Sequence, residues 1–202
     1  MLRAEVETLE RDLSRLHTEG RFHEMATLAV RQYGPEILGF LVATLRNEDA
    51  AGDVFSAFCE DLWTGLPRFR WQSCFRTWAY VVARNAAWSF RADAHNKRRA
   101  PLSDFPELSA IEQHVRTTTV TYLRSDVKDR VARLRERLDA EDQMMLILRI
   151  DRGMSFNDVA LVMLGGEPDR EAIARKSAAL RKRFERIKDQ LRTLLAREQP
   201  LA

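Results

Sequence analysis

The sequence predicts an all-α protein: two small helical domains joined by a flexible linker. Three observations carry this expectation. Apolar residues recur at spacings of three and four in one segment after another, the period of a helix with one buried face. A stretch from Ala100 to about Arg124, with Pro101, Pro106 and a Thr117-Thr118-Thr119 run, sustains no period and reads as linker around one short helix at 108–116. Charge also alternates. Residues 1–66 hold 6 basic and 12 acidic side chains, 67–99 hold 8 and 1, 100–169 hold 9 and 13, and 170–202 hold 10 and 4. Two basic blocks separated by an acidic one mark two places where the chain meets phosphate, an arrangement that suits grip on a duplex at two separated points. The expected division is therefore 1–99, a linker at 100–124, and 125–202.

Composition narrows the class. With 45% hydrophobic and 31% charged residues in 202, the chain is globular. No apolar run approaches the roughly 20 residues of a membrane span, and the acidic start MLRAEVETLERDL lacks a signal-peptide core, so the cytoplasm is the expected location. Cys59 and Cys74 have no metal-ligand spacing and read as reduced, buried thiols, and four scattered histidines propose no zinc site. No cofactor and no metal are expected.

Taken in order, Leu2, Val6, Leu9, Leu13 and Leu16 form a two-heptad seam, too short for a free coiled coil and so expected to pack on its own domain, with Gly20 ending the helix. A helix over 22–33 follows, and Gly34-Pro35 restarts the chain into a helix over 36–46. Asp49 is the expected N-cap of the next helix, whose Val54, Phe55, Phe58, Leu62 and Trp63 face inward. Asp53, Ser56, Glu60 and Asp61 are left outward.

Pro67–Arg99, PRFRWQSCFRTWAYVVARNAAWSFRADAHNKRR, begins aromatic and basic, becomes a helix, and ends in a cluster of positive charge. Phe75, Trp78, Ala79, Val82 and Ala86 make its buried stripe. Arg76, Tyr80, Arg84, Trp88, Arg91 and His95 follow on the other side at spacings of three and four. Guanidinium groups interleaved with exposed aromatics suit nucleic acid, because arginine neutralises phosphate and meets base edges while rings stack on unpaired bases.

In the second domain Val131, Leu134 and Leu138 repeat at helical spacing, Asp139 or Ala140 opens the next helix, and Gly153 stops it. Ser155 then caps 156–164 with Asp158 three residues on. After an insertion, GGEPDREAIARKS, Leu180, Phe184, Ile187 and Leu191 form the inward stripe of a strongly basic helix, LRKRFERIKDQL.

SCFRTWAYVVARNAAWSF followed by KRR resembles the end of the second domain of bacterial RNA polymerase sigma factors, and more narrowly the extracytoplasmic-function (ECF) group with its Phe-Arg-x-Trp-x-Tyr run leading into Ala-Arg-Asn. Gly-Met-Ser-Phe-Asn-Asp-Val-Ala and LRKRFERIKDQL resemble that family's promoter-reading helix-turn-helix, the insertion lengthening the usual turn. The resemblance implies a factor that recruits core RNA polymerase to promoter DNA and performs no chemistry itself. It implies that Asp49, Asp53, Ser56 and Glu60 meet core polymerase, although Ala50 and Ala57 replace residues typical of the family there. Arg68, Arg70, Trp71, Gln72, Arg76, Arg84, Asn85, Trp88, Ser89, Arg91, Lys97 and Arg98 are implied at the −10 element, where a base is flipped out and captured. Lys176, Ser177, Arg181, Lys182, Glu185 and Arg186 are implied at the −35 element. An anti-sigma factor is an expected further partner. The alternative is a stand-alone helix-turn-helix regulator. An enzyme acting on RNA or DNA lacks candidate catalytic residues, since no nucleophile with its base, phosphate-cradling glycine loop or paired carboxylates can be named.

Overall fold

The computed structural model describes residues 3–92, 109–116 and 138–198, with backbone alone at 3, 91, 92 and 194–198. All regular structure among these residues is helical. The expected helix at 127–138, along with Lys97, Arg98 and most of the expected linker, lies outside the described residues. Two compact units are present, Met1–Leu123 and Arg124–Ala202.

In the first unit, α1 (Arg3–Thr18) buries Leu9, Leu13 and Leu16, so the heptad seam is a packing face of its own domain. Gly20, at φ +70, reverses the chain, and Arg21 N–H reaches back to the Leu16 carbonyl at 2.9 Å. The structure departs from the sequence expectation at Pro35: α2 is one helix, Phe22–Leu45, and does not restart there. Proline in a helix interior costs about 3 kcal/mol. Met25, Ala29, Val30 and Tyr33 before it, and Ile37, Leu38, Phe40 and Leu41 after it, are all buried, and that continuous burial outweighs the lost hydrogen bond. Arg46, in the left-handed region, ends the helix with its N–H on the Val42 carbonyl at 2.8 Å.

The cap of α3 (Glu48–Gly65) also differs. Asn47 fills the role expected of Asp49, accepting the Ala50 N–H at 2.9 Å from extended backbone. Asp49 sits in the first turn, where its charge complements the helix dipole. Val54, Phe55, Phe58 and Leu62 are buried as expected.

A 3₁₀ turn, Leu66–Arg68, leads through a loop into α4 (Phe75–Ala92). Here Tyr80, expected outward, is fully buried with its ring 5.3 Å from Phe40. The reason is geometric: α4 packs against both α2 and α3, so its buried arc widens to take in Tyr80, Val81, Ala83 and Ala87 beside the expected stripe. Trp78 and Val82 of that stripe are half-buried. Residues 109–116 are helical and belong to this unit (α5). Cys59 is buried, whereas Cys74 is exposed, because it ends the loop rather than lying inside α4.

In the second unit, α6 (Ala140–Leu146) is capped by Asp139, which accepts the Asp142 N–H at 2.8 Å. It continues as a π-helical turn, Ile147–Asp151. Ser155 caps α7 (Phe156–Leu164): its hydroxyl accepts the Asp158 N–H at 3.1 Å and donates to the Asp158 carboxylate at 2.5 Å. Residues 165–169 then turn, with Gly165 and Gly166 both at positive φ. Asp169 opens α8 (Arg170–Glu198) by accepting the Ala172 N–H at 2.7 Å. Only the first five residues of the GGEPDREAIARKS insertion therefore turn, and the remainder extends the basic helix at its N-terminus.

Candidate nucleic-acid and polymerase interface

The loop entering α4 is built from aromatic rings. Phe69 is buried and stacks on Trp78 at 4.7 Å, and Trp71 lies 4.8 Å from Phe69 and 5.8 Å from His17. Trp71 adopts φ +55, a left-handed conformation that costs a non-glycine residue about 1–2 kcal/mol. The surrounding rings hold it there. His17 Nε2 also lies 3.1 Å from the Leu66 carbonyl, tying α1 to the loop. Arg68, Arg70 and Gln72 are left exposed around this rigid aromatic base.

Glu10 fixes the other end of the loop. Its carboxylate accepts the backbone N–H groups of Phe75 at 2.7 Å and Arg76 at 2.9 Å, together with the Tyr33 hydroxyl at 2.9 Å. An anion at the first N–H groups of α4 is the stabilising arrangement for a helix start. Glu10 and His17 were not legible as site residues, since both lie beside the α1 leucine seam and nothing in their spacing points to partners 49 to 66 residues downstream.

Along α4 the expected basic face divides. Arg76 is turned inward: its guanidinium forks onto Glu36 at 2.7 and 2.9 Å and lies over the Tyr80 ring. Burial opposes its charge, and the Glu36 carboxylate more than offsets this, holding Arg76 above the ordinary arginine pKa. Arg84 is different. Its guanidinium stacks over Trp88 at 4.4 Å, donates to the Asn85 side-chain oxygen at 3.2 Å, and has its pKa lowered by desolvation. Asn85 is exposed, Trp88 is 38% exposed, and Ser89 is half-buried beside them. Arg91 is described in backbone only.

On α3, Asp49 and Asp53 are exposed and Glu60 is half-buried. Ser56 is half-buried under α5, its hydroxyl donating to Glu112 at 2.6 Å.

In the second unit Arg181, Lys182, Glu185 and Arg186 share an exposed stretch of α8. Lys176 instead pairs with Glu141 at 2.5 Å, and Ser177 is 2% exposed, so neither joins that stretch. Arg183, which the sequence did not single out, anchors α8 to α6 through Asp139 at 2.6 Å, Glu141 at 2.7 Å and Asp142.

Sigma-70 region 2 is the family that matches residues 29–97, the span containing α3, the aromatic loop and α4. The RNA polymerase sigma-H factor of Pseudomonas aeruginosa is 29% identical over 143 residues, covering 67% of this chain and 73% of that protein. RNA polymerase sigma factor YlaC of Bacillus subtilis is 30% identical over 138 residues, covering 66% of this chain and 76% of that protein. The chain belongs to the RNA polymerase sigma factors. It is of the ECF type, and it is a sigma factor directing transcription initiation. Sigma factors act with core RNA polymerase and promoter DNA, and they are regulatory proteins. No solved structure matches the chain. Among the described residues no helix is long and apolar enough to cross a membrane.

Proposed function

We propose that this sigma factor attaches to core RNA polymerase through the α3 face of Asp49, Asp53, Ser56 and Glu60, and that it opens the −10 element with the aromatic loop and α4. It reads the −35 element as duplex with Arg181, Lys182, Glu185 and Arg186 of α8. The observation that carries the proposal is the stack of Arg84 on Trp88 beside exposed Asn85. That patch offers a cation for phosphate, a ring face for an unpaired base, and an amide that both donates and accepts at a base edge. An anti-sigma factor covering the same patch belongs to this reading, supported by the large apolar side chains of Trp88 and Phe90 left 38% exposed. So does a cytoplasmic location, nucleoid-associated when bound to polymerase.

Permanganate mapping of promoter opening by the reconstituted holoenzyme tests the proposal. Trp88→Ala should reduce opening roughly tenfold, the scale of one lost base–aromatic stack, with core binding unchanged. Tight binding of duplex promoter by the isolated chain, without core polymerase, would instead favour a stand-alone regulator.

A further inference from the structure

Two glycines lie inside helices of the first unit where alanine would favour the helix by about 0.5–1 kcal/mol each. They are Gly34 in α2 and Gly52 in α3, and both have α5 above them. A Cβ on Gly34 would lie 3.2 Å from the Val115 side chain, and one on Gly52 would lie 2.5 Å from the Arg116 guanidinium. The glycines thus leave room where α5 lies against α2 and α3, Gly34 also clearing the Phe55 ring at 3.3 Å and Gly52 the mobile end of Arg116. Val115 is 3% exposed and Glu112 is 8% exposed. Between the two glycines Glu112 accepts the Ser56 hydroxyl at 2.6 Å, and Arg116 lies 3.4 Å from the same hydroxyl and 3.5 Å from Glu112.

This seat is specific and yet small. Among the described residues 109–116, only Glu112 and Val115 are buried. A carboxylate buried beside a hydroxyl and one guanidinium holds position while nothing better competes, and contributes little net stability.

We propose that α5 is a built-in cover over the Ser56 side of α3, and that core RNA polymerase must displace it to engage that side. The inference rests on the reading that the α3 face meets polymerase, and it adds a regulatory step to that contact. Free chain is held partly closed, and its apparent affinity is lowered by the fraction of molecules whose cover is down. Polymerase and α5 compete for one surface, so any interaction that draws α5 away promotes holoenzyme assembly.

The test is the equilibrium dissociation constant of the full-length chain for purified core RNA polymerase, measured for wild type, Val115→Asp, Glu112→Ala and Asp53→Arg. Circular dichroism and a thermal midpoint are recorded for each. The cover predicts that Val115→Asp and Glu112→Ala bind core at least about threefold more tightly than wild type, as expected when a closed population is released. Unchanged or weaker binding by both folded variants overturns the cover. Global unfolding of both also overturns it, since α5 would then be an integral part of the core. Asp53→Arg separates the two ideas. If it binds core as wild type does, the α3 reading itself fails. If it loses binding while the α5 variants gain none, only the cover fails.

Discussion

Arg76 and Glu36 form a two-pronged, half-buried ion pair joining the start of α4 to the middle of α2. This pairing makes Arg76 part of the scaffold behind the surface proposed to meet the −10 element. Arg76→Ala should lower stability by about 1–3 kcal/mol, the range for losing a hydrogen-bonded charge partner. Glu36→Gln should do the same more mildly, and the double variant should recover part of the loss. A double-mutant cycle by urea denaturation measures the coupling.

Glu10 sets the register between the aromatic loop and α4. Replacing it with alanine leaves the N–H groups of Phe75 and Arg76 without their acceptor, a change that typically costs about 1 kcal/mol at a helix N-terminus. Glu10→Gln keeps an acceptor oxygen but loses the charge, and should fall between alanine and wild type in thermal midpoint. Promoter opening should follow the same order, measured at a temperature where all three remain folded.

The two thiols should separate in reactivity. Cys59 is buried, and desolvation pushes its pKa up, with Glu112 and Glu60 adding to the shift, so little thiolate forms. Cys74 is exposed. A maleimide should label one thiol per native chain and two in denaturant, with peptide mapping assigning the first to Cys74.

The second unit should lose stability in acid. Asp139 is held below its usual pKa first by the backbone N–H of Asp142, and Glu141 first by Lys176, with Arg183 contributing to both. A depressed carboxylate stabilises the fold above its unfolded pKa, and that contribution disappears as pH falls through the folded value. Asp142, raised by desolvation, acts in the opposite sense and partly offsets the loss. Denaturation of the chain between pH 7 and pH 3 should therefore show a decline below about pH 4.5, where unfolded carboxylates begin to take up protons. Arg183→Met should shallow that decline.

The helices were legible because Leu9, Leu13, Leu16 and the Val54–Phe58–Leu62 series repeat at helical spacing, and the Ser155–Asp158 box is a local device written in four residues. What the sequence hid is tertiary. Pro35 marks a break by local rules, and only burial on both sides of it keeps α2 whole. The alternation of Arg76, Tyr80 and Arg84 looks like one exposed face until α2 supplies Glu36 for the first and Phe40 for the second. Glu10 and His17 act on residues far along the chain, and no periodicity encodes such a reach. A helix near 108–116 was visible, but its seat was not, because no sequence pattern shows that Gly34 and Gly52 lie against Val115 and Arg116.

Attachment of this chain to polymerase through the α3 face is tested by co-purification with core RNA polymerase, wild type against Asp53→Arg. Wild type should elute with core, and the folded variant should not. Wild type that ignores core while retaining promoter duplex on its own would rule out α3 attachment, and would move the chain's function to the second unit acting alone.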